Sequence, residues 1–441
     1  MQRLKNKKVT VFGMGRSGVA AVNLLQKLEA DVYAVNQGEV AEWEHKDGLA
    51  LSREKLVSQS SASALFAESE LIVISPGIPS THPVLQSAVA RRVKIISEIE
   101  LAYQICAQVP VIAITGTNGK TTTTTMISEA LTLSGKKVFC GGNIGVAYCE
   151  MALRVLSGEK FDYAVIEVSS FQLETIETFH PHISLMLNLT ENHTERYTSL
   201  EDYGRAKLHI LKNQTSMDHL IVGEESGEQW LGWAQAHPMK IHRFSKKRLA
   251  ADFLSAFDFS QSRLVGSHNR ANFYCAFKTL SLLGLESQPL FQQFIKEFRG
   301  VSHRLEFVRE WQGLKIYNDA KSTNAEAIVT ALSAFEGQHD LVLVIGGKLR
   351  SENDHFLTSL LPFKQNIQLV LTMGETATRL QAEFMNDFRV EKVESLDGLK
   401  VRLLKRDLKG VVVFSPGHPS FDQFKNYIDR GEKFKAVVLS L

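Results

Sequence analysis

The run Gly116-Thr117-Asn118-Gly119-Lys120-Thr121-Thr122 holds the residue types needed to grip a polyphosphate. An apolar stretch from Val109 to Ile114 precedes it and a helical pattern follows, the order strand, glycine loop, helix. Backbone N–H groups of such a loop, with the free N–H groups of the helix start, cradle phosphates. Lys120 would reach the outer phosphates, and the Thr121 hydroxyl would ligate Mg²⁺. Ile114 stands where the strict pattern G-x-x-x-x-G-K-[ST] has its first glycine, so the loop is a variant. Further along, Glu167 ends a second apolar run, a usual place for a metal-binding carboxylate beside a phosphate loop. His193 lies in a polar loop after a third apolar run, where a neutral imidazole can ligate a second divalent ion. Lys207 falls in a helical stretch, and its pattern alone reads as a solvated lysine.

Gly13-Met-Gly-Arg-Ser-Gly18 follows the first strand and matches G-x-G-x-x-G. A dinucleotide site would want an acidic residue at the end of the next strand, but Asn36 and Gln37 occupy it. The turn can hold a diphosphate, while an NAD-dependent dehydrogenase loses its main support. A second glycine-containing loop, Ser415 to Ser420, can offer N–H groups to a carboxylate. Asp319 and Lys321 fall just past an apolar run, where side chains face a cleft.

These residues need parallel strands to bring their ends together. Short apolar runs alternate with helical patterns, which predicts α/β architecture with parallel sheets covered by helices. Expected strands are Lys8–Phe12, Asp31–Val35, Leu71–Ser75, Tyr163–Val168, Ile183–Leu187, Leu314–Asn318, Leu341–Ile345, Gln368–Thr372 and Gly410–Phe414, with a helix from Ser17 to Leu28. The chain of 441 residues suggests roughly three domains at about 150 residues each. The blocks are 1–100, Rossmann-like; 101–300, P-loop ATPase-like with a parallel sheet; and 301–441, again Rossmann-like. A net charge of +2 leaves no footprint for nucleic acid. No apolar run approaches the ~18 residues of a membrane helix. The basic start, Met1 to Lys8, reads as the lead-in to a strand rather than a signal peptide. Cys106, Cys140, Cys149 and Cys275 lack metal or disulfide spacing, which fits reduced thiols and a cytoplasmic location.

The whole chain resembles the Mur ligase superfamily, the ATP-dependent amide-forming enzymes of peptidoglycan precursor synthesis. The variant phosphate loop is that superfamily's own. Ser75-Pro-Gly-Ile-Pro79, Gly142-Asn-Ile-Gly145, Glu167-Val-Ser-Ser-Phe-Gln-Leu173 and Asp422-Gln-Phe with Arg430-Gly and Phe434 are similar to its D-glutamate-adding branch.

The resemblance implies an ATP-driven ligase joining D-glutamate to UDP-N-acetylmuramoyl-L-alanine, acting as a monomer without membrane or nucleic-acid partners. Gly116 to Thr122, Asn269, Asn272, Arg304 and Asp319 would hold ATP. Thr121, Glu167, His193 and Lys207 would hold two Mg²⁺ ions, Lys207 in carbamylated form. Lys120, Glu167, His193 and Lys207 would carry catalysis. Ser17, Asn36, Gln37 and Gly77 would handle the uridine diphosphate, with Asn143 at the acceptor carboxylate. Lys321, Thr323, Ser420 and Tyr427 would surround the incoming amino acid. The sequence departs from the family's pattern at Asn36-Gln37, where an acidic residue and arginine are usual, and at Ala320, where serine is usual. Ser415-Pro-Gly-His-Pro-Ser420 replaces Ser-Pro-Ala-Cys-Ala-Ser, and Gly346-Gly-Lys-Leu-Arg350 changes the order that supplies a basic group, leaving Lys348 or Arg350. Two changes lie near the amino-acid pocket, so L-glutamate or a diamino acid is the alternative amine. A non-catalytic nucleotide-binding regulator is a further alternative, and it would leave Glu167, His193 and Lys207 idle.

Overall fold

Strands that are apolar at every position must be covered on both faces, and parallel sheets supply that. The computed structural model describes residues 4–190, 196–245, 249–266, 268–335, 337–349 and 356–441. It holds three such sheets. The first has five parallel strands in the order Leu56–Ser58, Asp31–Asn36, Lys8–Phe12, Leu71–Ile74, Lys94–Ser97. The second has six parallel strands in the order Lys240–Phe244, His219–Gly223, Ile183–Met186, Val111–Thr115, Tyr163–Glu167, Val138–Gly142. The third also has six, in the order Glu306–Trp311, Leu314–Asn318, Gly410–Gly417, Leu341–Gly346, Ile367–Met373, Val390–Glu394; only the first pair is antiparallel. The α/β class with three sheets agrees with the expectation.

The chain forms two compact units. One comprises Met1–Ala256 with Ala271–Phe291, and the other Phe257–Arg270 with Gln292–Leu441. Both of the first two sheets belong to the first unit. One apolar core joins them, running from Val9, Val11 and Val73 to Val111, Ala113 and Ile166. In the second unit, alternation along each strand splits the third sheet's residues between two cores. Val342, Val344, Val412 and Phe414 fill one, and Leu341, Leu343, Ile345, Val411 and Val413 the other.

The expected strands are all present and differ from the observed ones only at their ends, but Leu56–Ser58, Lys94–Ser97, Val138–Gly142, His219–Gly223, Lys240–Phe244, Glu306–Trp311 and Val390–Glu394 were not among those expected. The final strand runs on through Ser415 and Pro416 to Gly417, because Gly417 pairs with Gly346 and its N–H donates to Ser322 O at 3.2 Å. Strands with few consecutive apolar residues, such as Lys240–Phe244 and Val390–Glu394, gave no signal in the sequence.

Candidate active site

In each sheet the strand order reverses, and loops at the C-terminal ends of strands there line a crevice. The Gly13–Gly18 turn occupies this position in the first sheet. A Cβ on Gly18 would stand 1.9 Å from Gly13 O, so helix Arg16–Lys27 can approach its strand only with glycine there. Ser75 Oγ donates to Gly13 O at 2.6 Å, and Asn36 Oδ1 accepts from Met14 N at 3.0 Å. Asn36 thus builds the turn. Asn36 ends its strand, and Ser17, Gln37 and Gly77 follow the C-terminal ends of three neighbouring strands.

The phosphate loop occupies the equivalent place in the second sheet. Gly116 has φ +146°, and a Cβ there would lie 3.1 Å from Leu187 Cβ. Gly119, with φ +83°, starts helix Lys120–Leu133. The amide of Asn188, which sequence reasoning gave no role, shapes the loop. Its Oδ1 accepts from Thr117 N at 3.2 Å and Asn118 N at 2.8 Å, and its Nδ2 donates to Asn118 O at 2.9 Å. The Thr117 hydroxyl exchanges hydrogen bonds with Thr190 N and O.

Around this loop the expected groups converge. Lys120 Nζ donates to Gly116 O at 2.9 Å and Thr117 O at 2.8 Å. Thr121 Oγ1 donates to Glu167 Oε2 at 2.8 Å, and Asn143 Nδ2 to Glu167 Oε1 at 3.2 Å. Lys207 is no solvated lysine: it is 1% exposed, and its Nζ donates to Gly116 O at 3.0 Å. Its amine also lies 4.3 Å from the centre of the Tyr203 ring. Burial holds its pKa well below the ordinary lysine value, the charge of Lys120 adds to this, and Glu167 opposes it. Asn272 Oδ1 accepts from the Thr123 hydroxyl at 3.2 Å. The hydroxyl of Thr121 and the carboxylate of Glu167 are hard oxygen donors side by side, a set that suits Mg²⁺. His193 and Arg350 lie outside the described residues.

In the second unit, Asp319 follows strand Leu314–Asn318 and is buried. Its Oδ2 accepts from Ser415 Oγ at 2.7 Å and its Oδ1 from Leu305 N at 3.2 Å. Burial pushes its carboxyl up to about 7, against those hydrogen bonds and the charges of Arg304 and Arg430. Arg430, 1% exposed, ties two strand-end loops together, donating to Ala320 O at 2.8 Å and His418 O at 2.9 Å. Burial draws its guanidinium down to about 10. Lys321 Nζ lies 5.6 Å from the Tyr427 ring centre, and Ser420 is buried on the loop that follows Gly417. His418, the departure noted at this loop, stacks on Phe356 with centroids 4.4 Å apart. Thr323 and Arg304 lie on the loops flanking Asp319, Lys348 is exposed, and Asn269 Nδ2 donates to Val265 O at 2.6 Å.

A phosphate loop with a hydroxyl–carboxylate pair beside it, on parallel sheets, defines a nucleotide-binding α/β protein. The Mur ligase middle-domain model matches residues 114–280, and the model of the Mur ligase MurD-like N-terminal domain matches residues 7–97. The UDP-N-acetylmuramoylalanine–D-glutamate ligase of Trichlorobacter lovleyi is 34% identical over 99% of this chain and 100% of its own. The enzyme of the same name from Aquifex aeolicus is 34% identical over 98% of both chains. Among solved structures, the UDP-N-acetylmuramate-alanine ligase of Thermotoga maritima shares the fold with a TM-score of 0.55 at 19% identity, covering 98% of this chain and 99% of its own. The chain belongs to the Mur ligase family, on its D-glutamate ligase branch.

Proposed function

We propose that this chain joins D-glutamate to UDP-N-acetylmuramoyl-L-alanine at the expense of ATP, a step of peptidoglycan precursor synthesis. The observation that carries the reading is the convergence of Lys120, Lys207, Thr121 and Glu167 on one phosphate loop. Full-length relatives bearing that enzyme name support the choice of substrates. The same reading takes 1–100, 101–300 and 301–441 as domains for the nucleotide sugar, ATP and the amino acid.

The acceptor carboxylate attacks the γ-phosphorus of ATP, the bond to the β-phosphate oxygen breaks, and an acyl phosphate and ADP form. Loop N–H groups and Lys120 neutralise charge on the oxygens as it shifts. Thr121 and Glu167, with His193 and Lys207, would hold Mg²⁺, which when bound lowers the charge of the phosphates. Lys207 is suited to carbamylation: a neutral amine adds to CO₂ and releases one proton, leaving a carboxylate on a long arm. Asn143, bonded to Glu167, faces the acceptor carboxylate in this reading. The amine of D-glutamate, held by Lys321, Thr323, Ser420 and Tyr427, then attacks the acyl carbon. The tetrahedral intermediate collapses, phosphate leaves and the amine loses its proton. Both steps need water excluded, because an acyl phosphate hydrolyses readily. Asn269, Asn272, Arg304 and Asp319 serve ATP in this scheme, and Ser17, Asn36, Gln37 and Gly77 the uridine diphosphate.

Phosphate release from ATP tests the proposal. It is expected only when acceptor and amino acid are both present, and Lys120→Ala is expected to abolish it. Release that depends on neither the acceptor nor the amino acid would rule out a ligase.

A further inference from the structure

Two side chains from the first sheet's helices grip the segment that carries Asn143. Arg16, the first residue of helix Arg16–Lys27, donates from Nη1 to Gly145 O at 2.8 Å. Glu98, the first residue of helix Glu98–Cys106, accepts at Oε1 from Cys149 N at 2.6 Å. The Glu98 carbonyl also accepts from Cys149 Sγ at 3.5 Å. Cys149 is the second residue of helix Tyr148–Leu156, whose first N–H groups have no partner within the helix. A carboxyl aimed at that end satisfies one of them and suits the helix dipole.

Glu98 is 1% exposed, a costly place for a carboxyl unless it is hydrogen-bonded, and here it accepts from Cys149 N. Glu100, on the same helix, shows the structural alternative: it receives the N–H groups of Glu177, Thr178 and Phe179 and simply staples a turn. Glu98 instead meets the segment 143–149. From there the contacts run inward. Gly142 N donates to Val146 O at 2.8 Å, Asn143 N to Glu167 O at 2.9 Å, and Asn143 Nδ2 to the Glu167 carboxylate, which holds Thr121.

We propose that Arg16 and Glu98 are positioning residues that fix segment 143–149, and through Asn143 set Glu167 and Thr121 at the phosphate loop. This rests on the ligase reading above. It makes the first sheet more than a binding platform: its helix starts determine how well the second sheet's phosphoryl-transfer groups are arranged.

A double-mutant cycle on kcat tests it. Glu98→Ala and Arg16→Met are each expected to lower kcat about tenfold with KM for the amino acid unchanged. Glu98→Gln, which keeps an acceptor for Cys149 N, is expected to restore the rate. Combined with Asn143→Ala, Glu98→Ala is expected to add no further loss, because both act through one side chain. Glu100→Gln, by contrast, is expected to multiply with Asn143→Ala. Multiplicative loss for Glu98→Ala and Asn143→Ala would overturn the proposal. Hydrogen exchange of the amides of 143–149 gives a readout independent of turnover: it is expected to quicken in Glu98→Ala, and unchanged exchange would also overturn it. Absence of wild-type turnover with D-glutamate would count against the ligase reading alone.

Discussion

Replacing Asn188 by alanine tests whether the phosphate loop is held in shape from outside. The side chain is 5% exposed and makes hydrogen bonds to Thr117 N, Asn118 N and Asn118 O. Thr117 N keeps a partner without it, because it also donates to Asn188 O at 3.0 Å. Two bonds to Asn118 are therefore lost outright, each worth about 0.5–1.5 kcal/mol net. Asn118 is exposed, so water replaces part of that loss. The remainder, about 1–2 kcal/mol, falls on the loop conformation that binds phosphates, and corresponds to a roughly 5- to 30-fold weaker nucleotide. Titration with a fluorescent ADP analogue, alongside KM for ATP, measures it. Asn188→Asp keeps the acceptor for Thr117 N and Asn118 N but turns a second oxygen, and a negative charge, towards Asn118 O and the phosphates, so it is expected to weaken nucleotide binding at least as much as alanine. Nucleotide affinity unchanged in Asn188→Ala, with the fold intact, would refute the reasoning.

Glu100→Ala leaves the N–H groups of Glu177, Thr178 and Phe179 without their carboxylate, and a loss of about 3–5 kcal/mol is expected in urea unfolding followed by tryptophan fluorescence. Burial pushes the Glu100 carboxyl up, but hydrogen bonds from Thr178, Gln104 and the turn amides outweigh it and hold it below the ordinary range. Its stabilisation is thus present above the ordinary glutamate pKa and lost as pH falls through the lower folded value, and Glu100→Gln is expected to flatten that acid limb. Asp319 has the opposite sign: its folded value is raised to about 7, so its contribution is full below the ordinary aspartate range and lost as pH rises through about 7. Asp319→Asn is accordingly expected to make unfolding of the second unit, followed by hydrogen exchange along strand Leu341–Gly346, less dependent on pH between about 4 and 7.

The phosphate loop was legible because its chemistry is local: glycines, a lysine and a threonine must be contiguous to cradle phosphate. Glu167 was legible for a related reason, as a charged residue closing an apolar strand. Lys207 was not legible from its pattern, since what distinguishes it is burial, with its amine bonded to Gly116 O across 91 positions of chain. Only the family resemblance pointed to it. Asn188 was missed because an amide that braces a loop looks like any polar residue after a strand. Glu98 was missed in the same way, and Arg430, although part of a motif that carried the resemblance, was given no role, each a charged residue on a helix whose sequence gives no hint of burial. Of the strands, most of those buried along their length stood out, but His219–Gly223, also buried, with its three apolar residues set between a histidine and a glycine, did not, and Lys240–Phe244, a half-exposed edge, had too few apolar residues to be seen.

Purified protein given ATP, Mg²⁺ and UDP-N-acetylmuramoyl-L-alanine, and offered D-glutamate, L-glutamate or a diamino acid in turn, tests the central claim most directly. Phosphate release and the mass of the product are read together. The account predicts release with D-glutamate and a product heavier than the acceptor by one glutamyl residue. Release with another amine and none with D-glutamate would contradict it.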